Sequence, residues 1–434
     1  MASEAFSFSD YSRILRQNRN FRLLWFAQIV SELGDWIYAL AVYSLLLQYT
    51  GKAESIALAF VMQVLPQVLT SPAAGVLNDR FSRKNIMIFA DYARAIIVTA
   101  MLSVRSPDMI WFLYVLLFLE TTMWAMFEPA HHAVIPNITD EKDMTPANTL
   151  SSMTWSLNFM IGFSIGGLIM AAFGREVVFI VNGLSFVLSA SLIKKMNFVE
   201  PHTEGHPAWT WKSLFDFSPI ASGIRYMRQD NRLFATMLCK AGLGLLGSNW
   251  VLLPIFGQRV YPLNTTWFGP EKAAVLGQSL LMGARGLGAV LGPVSISFFV
   301  GNSEKRMRHC ILLGMLLACL GYVGLGLAPD MLLACLGVLI AHSGLAMIWV
   351  YSTTLLQMST EDKFRGRVFS AEFSFAVTTM AASSAFAGYA VDHGMPVRQL
   401  SVINGLAMLV PALLWLVAQR LWKQPQPAKT LPQQ

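Results

Sequence analysis

Twelve stretches of this chain are each long enough and apolar enough to cross a hydrocarbon core about 30 Å thick, and no other feature limits its fold so tightly. They fall near residues 22–48, 54–78, 85–105, 108–132, 147–172, 175–195, 231–258, 270–300, 308–328, 330–357, 366–391 and 397–422. Hydrocarbon offers no partner to an unpaired backbone N–H or C=O, so stretches of this kind must be helices. Composition agrees: of 434 residues 55% are hydrophobic and 13% charged, whereas soluble chains carry roughly a quarter charged. The expected class is an all-α membrane protein with twelve transmembrane helices in two six-helix bundles. A formal charge of +7 would suggest nucleic acid in a soluble chain. Here the basic residues stand between apolar runs and act as topology determinants, so no nucleic-acid partner is expected.

The longest interval that is not apolar divides the runs six and six. Expected units are an N-terminal bundle at 1–196, a cytoplasmic linker at 197–230, and a C-terminal bundle with its tail at 231–434. Within the linker, Trp209, Trp211, Leu214, Phe215, Ile220, Ile224 and Tyr226 alternate with Lys212, Arg225 and Arg228. That pattern suits either a helix lying in the interface or a solvated connector. With the N-terminus inside, most Lys and Arg collect on one side, including Arg13, Arg16, Arg19, Arg22, Lys194, Lys195, Lys305, Arg306, Arg308, Lys363, Arg365, Arg367 and Arg420. Both termini are therefore expected in the cytoplasm, in a bacterial inner membrane. Residues 1–20 lack an apolar core of the signal-peptide kind, so the first span is the expected targeting element.

Between the second and third spans lies a charged knot, Gly75-Val76-Leu77-Asn78-Asp79-Arg80-Phe81-Ser82-Arg83-Lys84. It resembles the loop of the major facilitator superfamily written G-x-L-a-D-R-x-G-R-[KR]. Gly75, Leu77, Asp79, Arg80, Arg83 and Lys84 match, and Ser82 stands where that superfamily usually has glycine. Six spans, a basic linker and six more is also that superfamily's layout, whose halves rock about a site near mid-membrane. Gly75, Asp79, Arg80 and Arg83 are the expected conformational latch, with simple turn stabilisation as the alternative. Asp79 would dock on the unpaired N–H groups at the start of the eleventh helix, near Arg365 to Ser370, when the cytoplasmic side closes.

Further stretches resemble the proton-linked drug exporters that include macrolide efflux proteins and the enterobactin exporter. They are Asn18-Arg19-Asn20-Phe21-Arg22-Leu23-Leu24-Trp25, Leu33-Gly34-Asp35-Trp36, Phe127-Glu128-Pro129-Ala130, Ala147-Asn148-Thr149-Leu150-Ser151-Ser152 and Arg365-Gly366-Arg367-Val368-Phe369. In the fifth helix Phe163 occupies the place where such exporters often have proline.

Ionisable groups inside spans cost about 2.5 to 3.5 kcal/mol each at a helix centre unless paired or hydrated, so each needs a reason. Glu32 and Asp35 share a face of the first helix, Glu120 and Glu128 lie in the fourth, Lys240 in the seventh and His342 in the tenth. The resemblance implies that these four helices line the central cavity. Asp35 and Glu120 are the leading proton or substrate carboxylates, followed by Glu32 and Glu128. Lys240 is a neutraliser for one of them, and His342 is either a hydrogen-bonded packing residue or a proton relay. Arg285, deep in the eighth helix, must face a cavity or a carboxylate. Asp91 and Arg94, three apart, form the expected structural ion pair, within their helix or to the second. Several carboxylates against one lysine lean towards cationic or zwitterionic substrates. Trp36, Met123, Trp124, Phe127, Trp250, Met347 and Trp349 suit either an adaptable cavity or packing.

Two literal motif matches carry no chemistry. Gly242-Leu243-Gly244-Leu245-Leu246-Gly247 fits the dinucleotide fingerprint and Gly162-Phe163-Ser164-Ile165-Gly166 the nucleophile elbow. Both lie inside apolar helices without the sheet that each motif requires, and small residues there permit close helix packing. Cys239, Cys310, Cys319 and Cys335 show no ligand spacing. The expectation is a monomeric exporter of a small amphipathic compound by proton antiport, without enzyme activity, cofactor or metal. Rival readings are a lysophospholipid transporter of the same fold and a non-transporting membrane partner or sensor.

Overall fold

The computed structural model describes residues 8–200, 216–263, 269–301 and 303–420. Helix α1 (Phe8–Gln17) precedes the spans, and α2 (Arg19–Thr50) is the first of them. The second span is broken into α3 (Ala53–Leu69) and α4 (Ser71–Arg80), and α5 (Arg83–Ala100), α6 (Ile110–Ile138), α7 (Glu141–Phe173) and α8 (Arg175–Lys194) are the next four. Helix α9 (Ser218–Met227) lies in the linker. The seventh span joins α10 (Asn231–Gly244) to α11 (Asn249–Ile255), and α12 (Pro270–Val300), α13 (Glu304–Leu327), α14 (Met331–Ser359) and α15 (Asp362–Asp392) follow. The last span is α16 (Val397–Ala407) with α17 (Leu409–Arg420).

Among the described residues ten helical segments are long and apolar enough to cross a membrane, and the pair α3 and α4 makes an eleventh, bent by 50°. Helix α15 fills the place of the remaining expected span. Its 31 residues give ample length at 1.5 Å per residue, but Ser, Thr and Gly dilute its apolar character. The bend at Thr70 has a local cause: Pro66 sits inside α3 and another proline opens α4, removing backbone donors and crowding the preceding turn. The seventh span breaks similarly, through a 3-10 turn at Leu245–Ser248 and a π turn at Phe256–Val260. Of the linker residues named above, Trp209, Trp211, Lys212, Leu214 and Phe215 lie outside the described residues. Ile220, Ile224 and Tyr226 fall on α9, where they pack against Met227, Leu233, Leu356 and Val368.

The asparagines of the Asn18-Arg19-Asn20 stretch tie the first helix down. Asn18 accepts from the Phe21 N–H at 2.9 Å and donates to the Ile138 carbonyl at 2.5 Å. Asn20 exchanges two hydrogen bonds with the Asn197 backbone, at 2.7 and 3.0 Å. One short polar motif thus fixes the start of α2 to the ends of α6 and α8. Helices α2, α5, α6, α7 and α8 pack around one another, as do α10 and α12 to α17, and the two sets meet through α3 with α15, α7 with α12, and α2 with α12. Glycine permits the closest approaches. A Cβ on Gly321 would lie 2.4 Å from the Ala341 nitrogen on α14, and one on Gly388 would lie 2.7 Å from Ala57 on α3. The two false enzyme motifs behave likewise: Gly244 and Gly247 abut Thr379 and Met380, and Gly162 abuts Trp36. Large apolar side chains such as Phe173, Leu184, Leu320 and Leu332 are exposed on the outer face, where lipid covers them.

Candidate functional site

Arg94 on α5 is the hub of the polar interior. Its Nε donates to Glu120 Oε1 at 2.9 Å and its Nη2 to Asp35 Oδ2 at 2.5 Å. The guanidinium also lies 4.0 Å from the Phe186 ring centre on α8. The expected pairing with Asp91 is present but longest, at 3.7 Å, so Arg94 serves two other helices before its own. Glu120 accepts a further hydrogen bond from the Tyr38 hydroxyl at 3.3 Å. Three carboxylates therefore share one cation. Helical spacing explains the convergence: Asp35 and Tyr38 occupy one face of α2, and Asp91 and Arg94 one face of α5.

Asp35 lies beside the Arg94 guanidinium at the edge of a small polar cavity. It lines a cavity of about 10 Å³ enclosed by Gln28, Ser31, Glu32, Arg94, Trp124, Phe127, Glu128 and His131, roughly the space of one water. Buried ion pairing joins α2, α5 and α6 through Arg94. Glu32 accepts from Gln28 at 2.8 Å and from Asn158 at 3.1 Å, bridging α2 to α7. Glu128 bonds His132 at 3.1 Å. Glu128, His131 and His132 offer ligand atoms within 4.8 Å of one another, the one grouping among the described residues able to hold a metal ion. In sequence the two histidines follow Glu128 by three and four residues, a spacing that sets all three on one side of α6.

In the second set of six spans the groups stand differently. Lys240 does not neutralise a carboxylate of the first set. It pairs with Glu372 of α15 at 2.8 Å, donates to Thr353 at 2.7 Å, and lies 4.2 Å over the Trp349 ring. Glu372 went unread because one acidic residue near the start of a helix looks like a solvated end, yet its side chain is 2% exposed. His342 bonds the Tyr322 hydroxyl at 3.0 Å, within α13 and α14 packing. Arg285 meets no carboxylate among the described residues. Its guanidinium rests on Trp250 at 3.7 Å and Phe159 at 4.6 Å. Trp36 stacks on Trp250 across the seam between the two sets, with ring centres 6.4 Å apart, and Phe163 packs beside it at 5.7 Å. A groove of about 480 Å³, lined by Met160, Ile161, Ser164, Ile165, Leu280, Gly283, Ala284 and Leu287, opens between α7 and α12 on the lipid-facing surface.

The two ends of the helix pair α3 and α15 are unlike. At one end Asp392 accepts from the Ala53 and Glu54 N–H groups, both at 2.8 Å, so the C-terminus of α15 caps the N-terminus of α3. Arg259 adds a bond to the Gly51 carbonyl at 2.6 Å. At the other end Asp79 is exposed and makes no hydrogen bond or ion pair among the described residues. Gly75 is exposed nearby with open space around it. Arg83 instead secures the knot, donating to the Ala133 carbonyl at 3.0 Å and to the Asn78 carbonyl at 3.3 Å. Arg80 is half-buried beside it. Glu200 caps α5, accepting from the Arg83 N–H at 2.8 Å and from the Ser82 hydroxyl at 2.5 Å. That explains Ser82 in a place where glycine is usual. It needed a residue 118 positions away, which sequence order does not reveal.

The profile of the transmembrane secretion effector family matches residues 12–430. The chain is 26% identical over 361 residues to macrolide efflux protein A of Streptococcus pyogenes, covering 81% of this chain and 84% of that protein. It is 22% identical over 353 residues to the putative bacilysin exporter BacE of Bacillus subtilis, covering 81% and 83% respectively. The structure superposes on a bacterial homologue of the lysosomal transporter Spinster with a TM-score of 0.71 at 13% identity, covering 98% of this chain and all of that one. The twelve-run pattern, the charged knot and the fold thus converge, and the chain belongs to the transmembrane secretion effector family of major facilitator transporters.

Proposed function

We propose that this protein is a monomeric inner-membrane exporter of a small amphipathic compound, driven by proton antiport and without enzyme activity. The observation that carries this reading is the sharing of Arg94 by Asp35 and Glu120. With Asp91 included, three carboxylates face one guanidinium, so full ionisation would leave two negative charges in excess inside the bundle. Proton uptake on one carboxylate frees part of Arg94 for the others, and proton release reverses the shift. Such an exchange rearranges α2, α5 and α6, the elements that a rocking bundle must move. The relatives named for efflux and export favour outward movement of the cargo.

In this reading residues 1–196 and 231–434 are the two rocking bundles, joined by a cytoplasmic linker. Both termini are cytoplasmic, a reading that the distribution of Lys and Arg supports. The Asp392 end then faces outside and is closed, and the Asp79 end faces the cytoplasm with its latch undocked. The α7/α12 groove favours a second reading, in which a lysophospholipid enters sideways from the bilayer.

Reconstituted vesicles with an imposed pH gradient, screened against macrolides, cationic dyes, siderophores and lysolipids, test the reading directly. Export of at least one compound should dissipate the gradient, and Asp35→Asn or Glu120→Gln should each cut gradient-driven export by about tenfold or more. Export that persists unchanged in the double variant would remove the proton role.

A further inference from the structure

Donors without acceptors gather at the seam between the two sets of spans. Arg285 makes no ion pair among the described residues, and its Nη1 lies 3.9 Å from Met282 Sδ. The indole N–H groups of Trp36 and Trp250 are buried and have no acceptor among the described residues. All three side chains belong to one cluster: Arg285 lies 3.7 Å over Trp250, Trp250 stacks on Trp36 at 6.4 Å, and Phe159 meets Trp36 edge-on at 4.7 Å. Neutral polar groups around Arg285 are satisfied by each other. Tyr43 donates to Gln63 at 3.0 Å, and Tyr322 bonds His342 at 3.0 Å.

A buried indole N–H ordinarily finds an acceptor. A guanidinium inside a membrane protein ordinarily finds an anion, and stacking on aromatic faces compensates only in part for its absence. The guanidinium fork matches the two oxygens of a carboxylate or phosphate. We propose that the cargo carries an oxyanion, carboxylate or phosphate, on a flat ring system. Arg285 grips the oxyanion, and Trp36, Trp250 and Phe159 form the walls. This deepens the export reading and rests on it. It also gives coupling a short route, because Asp35 and Trp36 are neighbours on α2, one reaching Arg94 and the other the seam.

The test is equilibrium dialysis of the purified full-length protein in detergent against two probes that share a ring and differ in charge, 1-naphthoate and 1-naphthylmethylammonium. Naphthoate should bind about tenfold tighter or better. Arg285→Gln should abolish that preference while leaving the cationic probe unaffected, and Arg285→Lys should retain most of it. Equal binding of both probes by the unmodified protein overturns the proposal, even if Arg285→Gln does not fold. So does unchanged naphthoate binding in a folded Arg285→Gln. Oleoyl lysophosphatidate serves as the acyl-chain arm: displacement of naphthoate by it at tenfold lower concentration overturns the flat-ring assignment. A charge-selective protein that dissipates no pH gradient keeps this site and loses the export reading. Working export without charge selectivity does the reverse.

Discussion

The interiors of the two six-span sets solve the problem of buried charge in opposite ways. In the first, Arg94 is surrounded by Asp35, Asp91 and Glu120, and Glu32 and Glu128 stand nearby around a water-sized cavity. In the second, Lys240 and Glu372 neutralise each other and Arg285 leans on aromatic rings. One interior is rich in acid and the other carries a spare cation. The difference sets an acid-rich interior, the one proposed above to exchange protons, against one whose arginine, unpaired among the described residues, is proposed above to hold an oxyanion.

Removing the cation of each cluster should expose this contrast most strongly. Arg94→Met leaves three buried carboxylates without a cation and should destabilise the protein by about 3–5 kcal/mol, read as loss of monodisperse protein and a lowered Tm. If Arg94→Met purifies with an unchanged Tm, the hub is not electrostatic. Lys240→Met should cost somewhat less, since a single carboxylate is orphaned. The double variant Lys240→Met with Glu372→Met should recover most of that loss, because a well-packed apolar pair can replace a buried ion pair. A double variant as unstable as the single one would mean that the second set also depends on its charges.

Smaller effects are expected at the helix ends. Asp392→Asn weakens the cap on α3 by about 1 kcal/mol, roughly a fivefold shift in population towards the outward-open form. Distances between spin labels on α3 and α15 would report it, and an unaltered distribution would remove Asp392 as a clasp. The least effect concerns Asp230, ahead of α10. Burial works against its ionisation, but hydrogen bonds from Arg232 and the charge of that residue outweigh it, holding the carboxyl below its usual range. A carboxyl so lowered stabilises the fold above its ordinary pKa and ceases to do so as pH falls through the folded value. Asp230→Ala should thus lower Tm slightly near neutrality and not at all in strong acid.

Much of this architecture is legible in the sequence, because length and apolarity alone dictate spans in a bilayer. The knot at Gly75 to Lys84 likewise announces itself through charge density. What sequence order hides is pairing at a distance. Arg94 reads as a partner for Asp91 three residues away, since nothing local shows that α2 and α6 bring Asp35 and Glu120 closer. Glu372 reads as a helix-end acid and Glu200 as part of a linker, and nothing local tells whether Arg285 meets a cavity or a carboxylate. The Asp91 pairing is present, and what it leaves out is the partners that arrive from other helices.

The cap that Asp392 places on α3 sits at one rim alone. In the orientation proposed above, an unloaded carrier therefore rests with its mouth towards the cell interior, ready to collect the compound from the compartment to be cleared. Reloading from the far side would first require stripping a carboxylate from two backbone amides, so leakage inward is resisted by a clasp that the forward journey must also undo.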